Sequence, residues 1–190
     1  MTDTMTDSGY FWQGEKIRLR PMLPEDTAVW LVEEHDSQTV RFLNYGMVLP
    51  KSEKDAAAFG ERYAHFNNTN ERIMFSIETF VGELVGGINI HSMDQKNGTF
   101  QTGTRLYRQF RGLGYAFEAK LILLCYAFHE LRYQKYSIHC IETNEAIIRH
   151  AKRLGCQEEG RIRRNIFTNG RYYDELIFGL TREEFDKLLP

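Results

Sequence analysis

Two glycines one residue apart, Gly112 and Gly114, follow an alternating segment at residues 99–106 and precede a long apolar segment. Glycine adopts backbone conformations that other residues avoid, so the chain can turn sharply here and bring its amides close to a ligand. If a helix begins after the second glycine, its first N–H groups lack helical partners and lie at the positive end of the helix dipole. Such amides bind phosphate or pyrophosphate, and the neighbouring Arg108 and Arg111 would add positive charge.

Two common phosphate-binding loops do not fit these residues. A P-loop continues from its last glycine with lysine and then serine or threonine, whereas Tyr115 and Ala116 stand here. A dinucleotide-binding loop has a third glycine or an alanine three residues after the second, where this chain has Phe117. A nucleotide-phosphate enzyme is therefore a weak hypothesis.

The form Gln-x-x-Gly-x-Gly, made by Gln109, Gly112 and Gly114, resembles the coenzyme A loop of the GNAT family of N-acetyltransferases. The resemblance covers about residues 16–180, and its C-terminal half is most similar to the ribosomal-protein-alanine and spermidine acetyltransferase branch. The segments that carry this second similarity are residues 144–147, 152–156, 158–161 and 169–174.

The apolar pattern predicts one strand, two helices, three strands, a helix, a strand, a helix and two strands, in that order. The first two helices are predicted at residues 24–35 and 52–66, and residues 41–50 between them are predicted to be irregular. Ser52 and Asp55 resemble a capping box at the start of the second helix.

Hairpin signals between successive strands favour mainly antiparallel pairing. The strand before the glycines and the strand at residues 135–142 are expected to pair in parallel through a right-handed crossover. This order is that of the GNAT fold, so we expect an α+β protein whose mixed, mostly antiparallel sheet of about seven strands is flanked by helices. We expect residues 1–14 to be a flexible tail and residues 15–190 to form one GNAT domain.

Composition excludes several other classes of protein. The 190 residues are 42% hydrophobic and 26% charged with a net charge of -2, so neither nucleic acid nor an anionic membrane is an expected partner. No apolar run reaches the roughly 20 residues that span a bilayer, and no signal peptide is visible. The cysteines Cys125, Cys140 and Cys156 form no metal or disulfide pattern, so we expect no metal and a cytoplasmic location.

The GNAT resemblance implies acetyl-CoA as the acetyl donor, with its pyrophosphate on the amides of residues 111–116. The pantetheine arm would lie along the preceding strand and contact its backbone. Asn144 occupies the place of a family asparagine that contacts this arm or a bound water, although asparagine is also a favoured helix N-cap. The predicted cofactor-binding residues are Leu106, Tyr107, Arg108, Gln109, Arg111, Gly112, Leu113, Gly114, Tyr115, Ala116 and Asn144.

Three positions depart from the family pattern. Gln101 stands where relatives of this branch often have a glutamate, Ile147 where a serine is frequent, and Ala151 where many members have a tyrosine that protonates the leaving thiolate. That proton is expected from water or from another group, with Tyr107, Tyr115 and His150 as candidates. Since a thiol pKa near 8.5 makes the thiolate a modest base, loss of the tyrosine weakens the mechanism less than loss of the cofactor loop would.

The base that deprotonates the acceptor amine is left open by these departures. His91 has the most suitable ordinary pKa, and Asp94, Glu142 and His139 are alternatives. We therefore predict catalytic roles for His91, Glu142 and Asn144.

The acceptor is predicted to be a protein N-terminal amine, a polyamine or another small amine, in that order. The acids Glu33, Glu34 and Asp36 could attract a cationic amine, although they are also typical of a solvated helix end. Some of the basic residues 149, 152, 153, 161, 163, 164 and 171 could meet the 3′-phosphate of coenzyme A or an acidic stretch of a protein substrate. The last hairpin, residues 157–180, offers a sheet edge for a possible homodimer.

An alternative function is a GNAT-fold sensor or regulatory module that binds acyl-CoA and has lost turnover. The substitutions at Gln101, Ile147 and Ala151 favour it. It predicts cofactor binding without acetyl transfer to any amine.

Overall fold

A seven-stranded mixed sheet in the order β1-β2-β3-β4-β5-β7-β6 organises the computed structural model, which describes residues 9–64 and 72–189. The strands are β1 (Ile17–Pro21), β2 (Arg72–Thr79), β3 (Leu84–Asp94), β4 (Thr99–Leu106), β5 (Lys135–Ile141), β6 (Gln157–Thr168) and β7 (Arg171–Thr181). The helices are α1 (Asp26–Glu33), α2 (Ser37–Asn44), α3 (Glu53–Tyr63), α4 (Tyr115–Cys125), α5 (Glu145–Arg153) and α6 (Arg182–Asp186). A 3₁₀ turn (Arg108–Phe110) precedes α4, and a π-helical turn (Tyr126–Glu130) continues it.

Among the described strands, the pairing of β4 with β5 is the one parallel contact, and it is short. It consists of the residue pairs Thr99–Lys135, Phe100–Tyr136 and Gln101–Ser137. Beyond these pairs β4 continues to Leu106 and β5 to Ile141 without pairing to each other. The two strands therefore diverge, and a gap opens between them towards the loop that precedes α4.

The two faces of the sheet carry different side chains. On β3, Ile88 and Ile90 are fully buried in the main core, together with Ile122 and Leu123 of α4. Strand alternation places the intervening Asn89 on the opposite face, where α1, α2 and α3 cover the sheet. The core therefore lies between the sheet and α4, while the other face is available for a pocket.

The predicted fold class is confirmed, including the seven strands and the parallel β4–β5 pairing. The capping box of Ser52 and Asp55 is also confirmed. One helix was not predicted: α2 occupies residues 37–44, part of which was expected to be irregular. The predicted loop at residues 67–70 and the predicted end of a helix at residue 66 lie outside the described residues.

The chain contacts the sheet earlier than predicted. Trp12, which was assigned to the tail, stacks on Phe75 of β2 with ring centroids 4.9 Å apart. Its carbonyl accepts the Leu19 N–H at 2.8 Å, and Gln13 forms a β-bridge with Arg18. Residues 12 and 13 are therefore packed parts of the fold.

Candidate active site

The loop before α4 turns through two left-handed glycines. Gly112 has φ 80° and Gly114 has φ 91°, in the region that other residues rarely adopt. Gly114 is the N-cap of α4 and supplies no side-chain acceptor to the first turn of the helix. A side chain in its place would need a strained backbone and would approach Lys16 Nζ, which lies 3.7 Å from the position of a Cβ atom.

The amides of this loop are available to a ligand. Among the described residues, the N–H groups of residues 112–116 donate to no acceptor, whereas the next amide, of Phe117, bonds to the Gly114 carbonyl at 3.0 Å. Five consecutive free amides thus lie at the N-terminus of an eleven-residue helix, which is an arrangement that binds anions in other proteins. The geometry is the one that the glycine spacing predicted.

The charged side chains around the loop differ from the prediction. Arg108 is exposed, as a phosphate partner requires, but Arg111 is committed elsewhere. Its guanidinium donates to Asp36 Oδ2 at 3.0 Å, to Thr39 Oγ1 at 3.0 Å and to the Leu106 carbonyl at 3.1 Å. The side chain of Arg111 thus holds the loop against α2, and its backbone N–H already donates to the Arg108 carbonyl at 3.4 Å, so neither group is free for the predicted role.

Two cations that face the loop come from distant parts of the chain. Lys16 Nζ lies 3.5 Å from the Leu113 carbonyl, although 97 residues separate them. Arg153 of α5 stacks on the Phe117 ring in the first turn of α4, with its guanidinium carbon 3.7 Å from the ring centroid. The sequence pattern did not reveal Lys16, because nothing local distinguishes it from other exposed lysines.

The gap between β4 and β5 leads from the paired residues to this loop. At its outer end the backbone of Tyr107 is already used, since its N–H donates to Val85 O at 3.0 Å and its carbonyl accepts from Phe110 N at 3.0 Å. The predicted backbone contact at Tyr107 therefore lacks a free N–H, because β4 is held to β3 one residue beyond its end. The free edge of β4 consists of alternate peptide groups between Gln101 and Leu106.

Asn144 and Glu142 lie at the far end of β5. Asn144 caps α5, where its side chain accepts the Ile147 N–H at 3.3 Å. Glu142 accepts from Arg161 at 2.9 Å and from the Asp174 amide at 3.0 Å. Glu142 follows Ser137 by five residues, so it lies about 17 Å along the strand from the level of His91. The structure therefore does not bring these two predicted bases together.

His91 faces the covered side of the sheet and lines a pocket there. Its Nδ1 atom is 2.9 Å from Ser92 Oγ. Burial, followed by the nearby positive charges of Arg72, Lys120 and His139, lowers the pKa of His91 to about 4. His91 is therefore neutral at pH 7, which is the state that a base requires.

The remaining candidate bases have other partners. His139 Nδ1 lies 3.3 Å from Oε1 of the buried Glu175, so a carboxylate orients its ring. Asp94 accepts the amide of Asn97 at 2.9 Å and closes the turn between β3 and β4. Of the two, only the histidine resembles a base held in place by a second group.

A pocket of about 310 Å³ lies between α1–α3 and the face of β2–β4 that these helices cover. Its aromatic wall is made by Trp30 and Phe59, whose ring centroids are 5.4 Å apart. Its floor includes Gly87, where a Cβ atom would come within 2.9 Å of the Trp30 ring. The charged groups that line it are Glu34, Lys51, Arg72 and Arg105, in addition to the neutral His91.

The helix that carries Trp30 is anchored by a buried ion pair. Asp26 at the start of α1 accepts two bonds from Arg20, at 2.8 and 2.9 Å, and one from Ser76 at 2.6 Å. Although burial opposes ionisation, the bonds from Arg20, Leu23 and Ser76 lower the pKa of Asp26 below its usual value. This carboxylate therefore fixes α1 over the pocket.

The pocket contains buried donors without acceptors. Within residues 9–64 and 72–189, neither Trp30 Nε1 nor the Nε and Nη2 atoms of Arg105 have a hydrogen-bond partner. An unsatisfied buried donor costs about 1–3 kcal/mol, so such atoms are rare unless a ligand pairs with them. They mark the Arg105 end of the pocket as a place for an acceptor atom.

The acids that were expected to attract a cationic amine are already neutralised. Glu34 Oε1 accepts from Arg105 at 3.0 Å and from Lys51 at 3.2 Å. Asp36 pairs with Arg111, and despite the opposing effect of burial its hydrogen bonds to Thr39 and Arg111 keep its pKa below the usual value. The side chain of Glu33 lies outside the described part of the chain.

Lys120 is a buried cation that the sequence analysis missed. It is 1% exposed and donates to Thr102 Oγ1, which lies 2.9 Å from the Tyr136 hydroxyl. Burial lowers its pKa to about 7. A signal was present, because Lys120 stands four residues before Leu124 in an apolar run and so falls on the buried face of α4.

Residues 16–157 match the family described as the acetyltransferase (GNAT) domain. The chain therefore belongs to the GNAT acetyltransferase family, and its reaction is acetyl transfer. Over 176 residues the chain is 33% identical to YokL of Bacillus subtilis (strain 168), an uncharacterised prophage-derived N-acetyltransferase. The matched region covers 93% of this chain and 96% of that protein.

Two further comparisons involve proteins whose names match the predicted branch. The chain is 29% identical over 125 residues to YdaF of Bacillus subtilis (strain 168), provisionally named a ribosomal N-acetyltransferase, covering 66% of each protein. The crystal structure of spermidine N-acetyltransferase from Vibrio cholerae, solved with CoA and spermine, superposes with a TM-score of 0.78 at 18% identity, over 89% of this chain and 97% of that one. At that identity the likeness is one of fold.

The described helices are all too short or too polar to cross a lipid bilayer.

Proposed function

We propose that the protein is an acetyl-CoA-dependent N-acetyltransferase that binds the donor between β4 and β5. The observation that carries this proposal is the run of five free amides at residues 112–116, at the open end of the gap. The pyrophosphate would sit on these amides, with Lys16 and Arg108 as charge partners. The pantetheine arm would extend along the free edge of β4, where unpaired peptide groups need hydrogen-bond partners. The structure of a spermidine N-acetyltransferase that contains CoA supports this type of donor.

The acceptor amine would attack the thioester directly in a ternary complex. Its nitrogen forms a bond to the carbonyl carbon, the carbon–sulfur bond breaks, and the proton lost by the amine balances the proton gained by the thiolate. The amine must be neutral to attack, and its pKa of about 10 means that a base or water takes a proton first. His91 is the proposed base, and His139 with Glu175 is the alternative.

The cysteines do not favour a covalent enzyme intermediate. Burial raises the pKa of Cys125 and of Cys140 to about 11 and that of Cys156 to about 12. The nucleophile of a thiol is its thiolate, so these groups are unreactive at neutral pH. Direct transfer from donor to acceptor is therefore the simpler route.

The acceptor would enter the pocket between α1–α3 and the sheet. The pocket accommodates a side chain or small molecule, and its inner wall is β4, the strand that the donor would line from the other side. A protein N-terminal amine, a polyamine and another small amine are all primary amines that fit this reaction.

The alternative is an acyl-CoA-binding regulatory module. The observation that favours it is Ala151, which is fully buried at the place of the family's tyrosine acid and offers no proton. Release of free thiol from acetyl-CoA, followed with a panel of primary amines, separates the two functions. We expect at least one amine to accelerate release well above the rate without an acceptor. Binding of acetyl-CoA without acceleration by any amine would favour the regulatory module.

A further inference from the structure

We propose that the acceptor is a small primary amine that also carries an anionic group, a carboxylate or a phosphate, which binds at Arg105. This inference rests on the proposed N-acetyltransferase function and specifies its substrate class. It is carried by the paired and unpaired atoms of the pocket.

Arg105 uses only part of its guanidinium. Its Nη1 atom donates to Glu34 at 3.0 Å, while Nε and Nη2 have no partner in the part of the chain that the structure describes. These two atoms form one edge of the planar group, and that edge matches the two oxygens of a carboxylate or phosphate. The side chain is only 12% exposed, so water does not easily replace such a ligand.

Trp30 adds a third donor from the facing helix. Its Nε1 atom is buried and has no acceptor among the described residues. The indole is held in place by Phe59 at 5.4 Å and by the bare backbone of Gly87. An indole nitrogen can only donate, so its missing partner must be an acceptor such as an anionic oxygen.

The net charge of the pocket is positive, which also favours an anionic ligand. Among the described lining residues, the cations Lys51, Arg72 and Arg105 outnumber the single carboxylate of Glu34. That carboxylate already accepts from two of them. His91 stays neutral and does not offset the balance. An anion therefore gains favourable interactions here that remain unused in the empty pocket.

A polyamine would meet the opposite situation. Each of its cationic centres would approach three positive side chains and would have to compete with Lys51 and Arg105 for Glu34. Like charges at close range repel, most strongly where water is excluded. The pocket thus selects against a polycation and for an amine that is neutralised by its own anion, with an apolar body that packs on Trp30 and Phe59.

The test is acceptor binding measured by calorimetry, with and without saturating CoA, on two matched pairs of amines. L-Phenylalanine is compared with L-phenylalaninamide, and O-phosphoethanolamine with ethanolamine, so that each pair differs only in the anionic group. We expect the anionic member of at least one pair to bind about tenfold more tightly. The pair that shows the difference identifies a carboxylate or a phosphate as the recognised group.

Variants locate the preference. In Arg105→Gln the ratio of affinities within the pair should fall close to one. Arg105→Lys keeps the charge but loses the planar edge, and it should retain only part of the ratio. Trp30→Phe removes one donor with little change of shape and should also reduce it. Arg182→Gln, at an exposed arginine of α6, is the matched control and should keep the full ratio.

Several results would overturn the inference. One is equal affinity for the two members of both pairs. Another is an unchanged ratio of affinities in the Arg105→Gln variant when its circular dichroism spectrum shows a native fold. A third is tighter binding of spermidine or of an uncharged peptide amide. Rapid acetylation of spermidine would contradict the proposal of an anionic acceptor but would support the proposed acetyltransferase function. Because calorimetry measures binding, a protein that binds the anionic amine but releases no thiol would keep the anion site at Arg105 and remove the proposed function, and with it the role of that amine as acceptor.

Discussion

Arg111 Nη2 lies 3.0 Å from Asp36 Oδ2, so the loop with the free amides is tied to the N-cap of α2. The same helix ends with Leu43 and Asn44, which line the proposed acceptor pocket. One ion pair therefore connects the two halves of the candidate site. A displacement of the loop should therefore shift α2, and with it the part of the pocket wall that Leu43 and Asn44 form.

The first prediction concerns this connection. We expect Arg111→Ala to weaken acetyl-CoA binding roughly fivefold and to raise the acceptor KM by a similar factor, since a half-exposed ion pair is worth about 1 kcal/mol. The dissociation constant from calorimetry and the KM from thiol release measure the two effects. Arg18→Ala is the control, because Arg18 is also ion-paired and is 44% exposed against 38% for Arg111. An unchanged KM in Arg111→Ala would show that the loop and the pocket are independent.

The second prediction tests the loop by comparing two glycines. Gly112 and Gly82 have φ of 80° and 85°, and an added Cβ meets nothing within 4 Å at either. Aspartate should therefore cost similar backbone strain at both positions, but only Gly112→Asp places a carboxylate beside the amides. At about 100 times the dissociation constant, acetyl-CoA should stabilise wild type and Gly82→Asp by about 2.7 kcal/mol, seen as several degrees in Tm. Gly112→Asp should show no shift, and a full shift there would move the cofactor elsewhere.

The third prediction concerns the base and pH. Because the pKa of His91 is lowered to about 4, its neutral form persists as pH falls from 8 to 5. After correction for protonation of the acceptor, kcat/KM should be flat across this range, whereas a histidine of ordinary pKa near 6.5 would lose roughly thirtyfold at pH 5. His91→Gln should lower kcat about a hundredfold. If His139→Gln has the large effect instead, the histidine beside Glu175 is the base.

The fourth prediction concerns stability. Lys120 has a folded pKa of about 7, below its unfolded value near 10.5, so folding is penalised wherever the unfolded lysine is charged. The penalty is full below pH 7 and disappears as pH rises towards 10.5, by about 1.4 kcal/mol per pH unit. Lys120→Met should therefore be more stable than wild type at pH 7, and the difference should shrink by pH 10. Lys54→Met, at an exposed lysine of α3, controls for the substitution itself. A difference that is constant with pH would mean that Lys120 stays charged in the fold.

Some features of the site were predictable because they are local. The turn at Gly112 and Gly114 depends on backbone conformations that glycine alone adopts easily, so its residue types reveal it. The capping box of Ser52 and Asp55 was equally readable, since its partners lie three positions apart in the sequence. Such signals survive because no distant contact has to be known.

Other features depended on contacts between distant residues. The pairs Arg105–Glu34 and Arg111–Asp36 span 71 and 75 residues, and no local pattern links their members. Helix α2 was missed because it has only eight residues, whereas a helical period is read over a window of roughly 11–18 residues. Its signal was the cap, since Asp36 accepts the Thr39 N–H at 3.2 Å.

The β4–β5 junction, with three residue pairs, divides the sheet into one part made of β1–β4 and another made of β5, β7 and β6. Every other junction between described strands has at least five residue pairs, so this is the least hydrogen-bonded junction of the sheet. A molecule that lies in the gap and contacts both β4 and β5 would add contacts across this junction. We therefore expect a bound cofactor to hold the two parts of the sheet together, so that the force needed to separate them would rise when the gap is occupied.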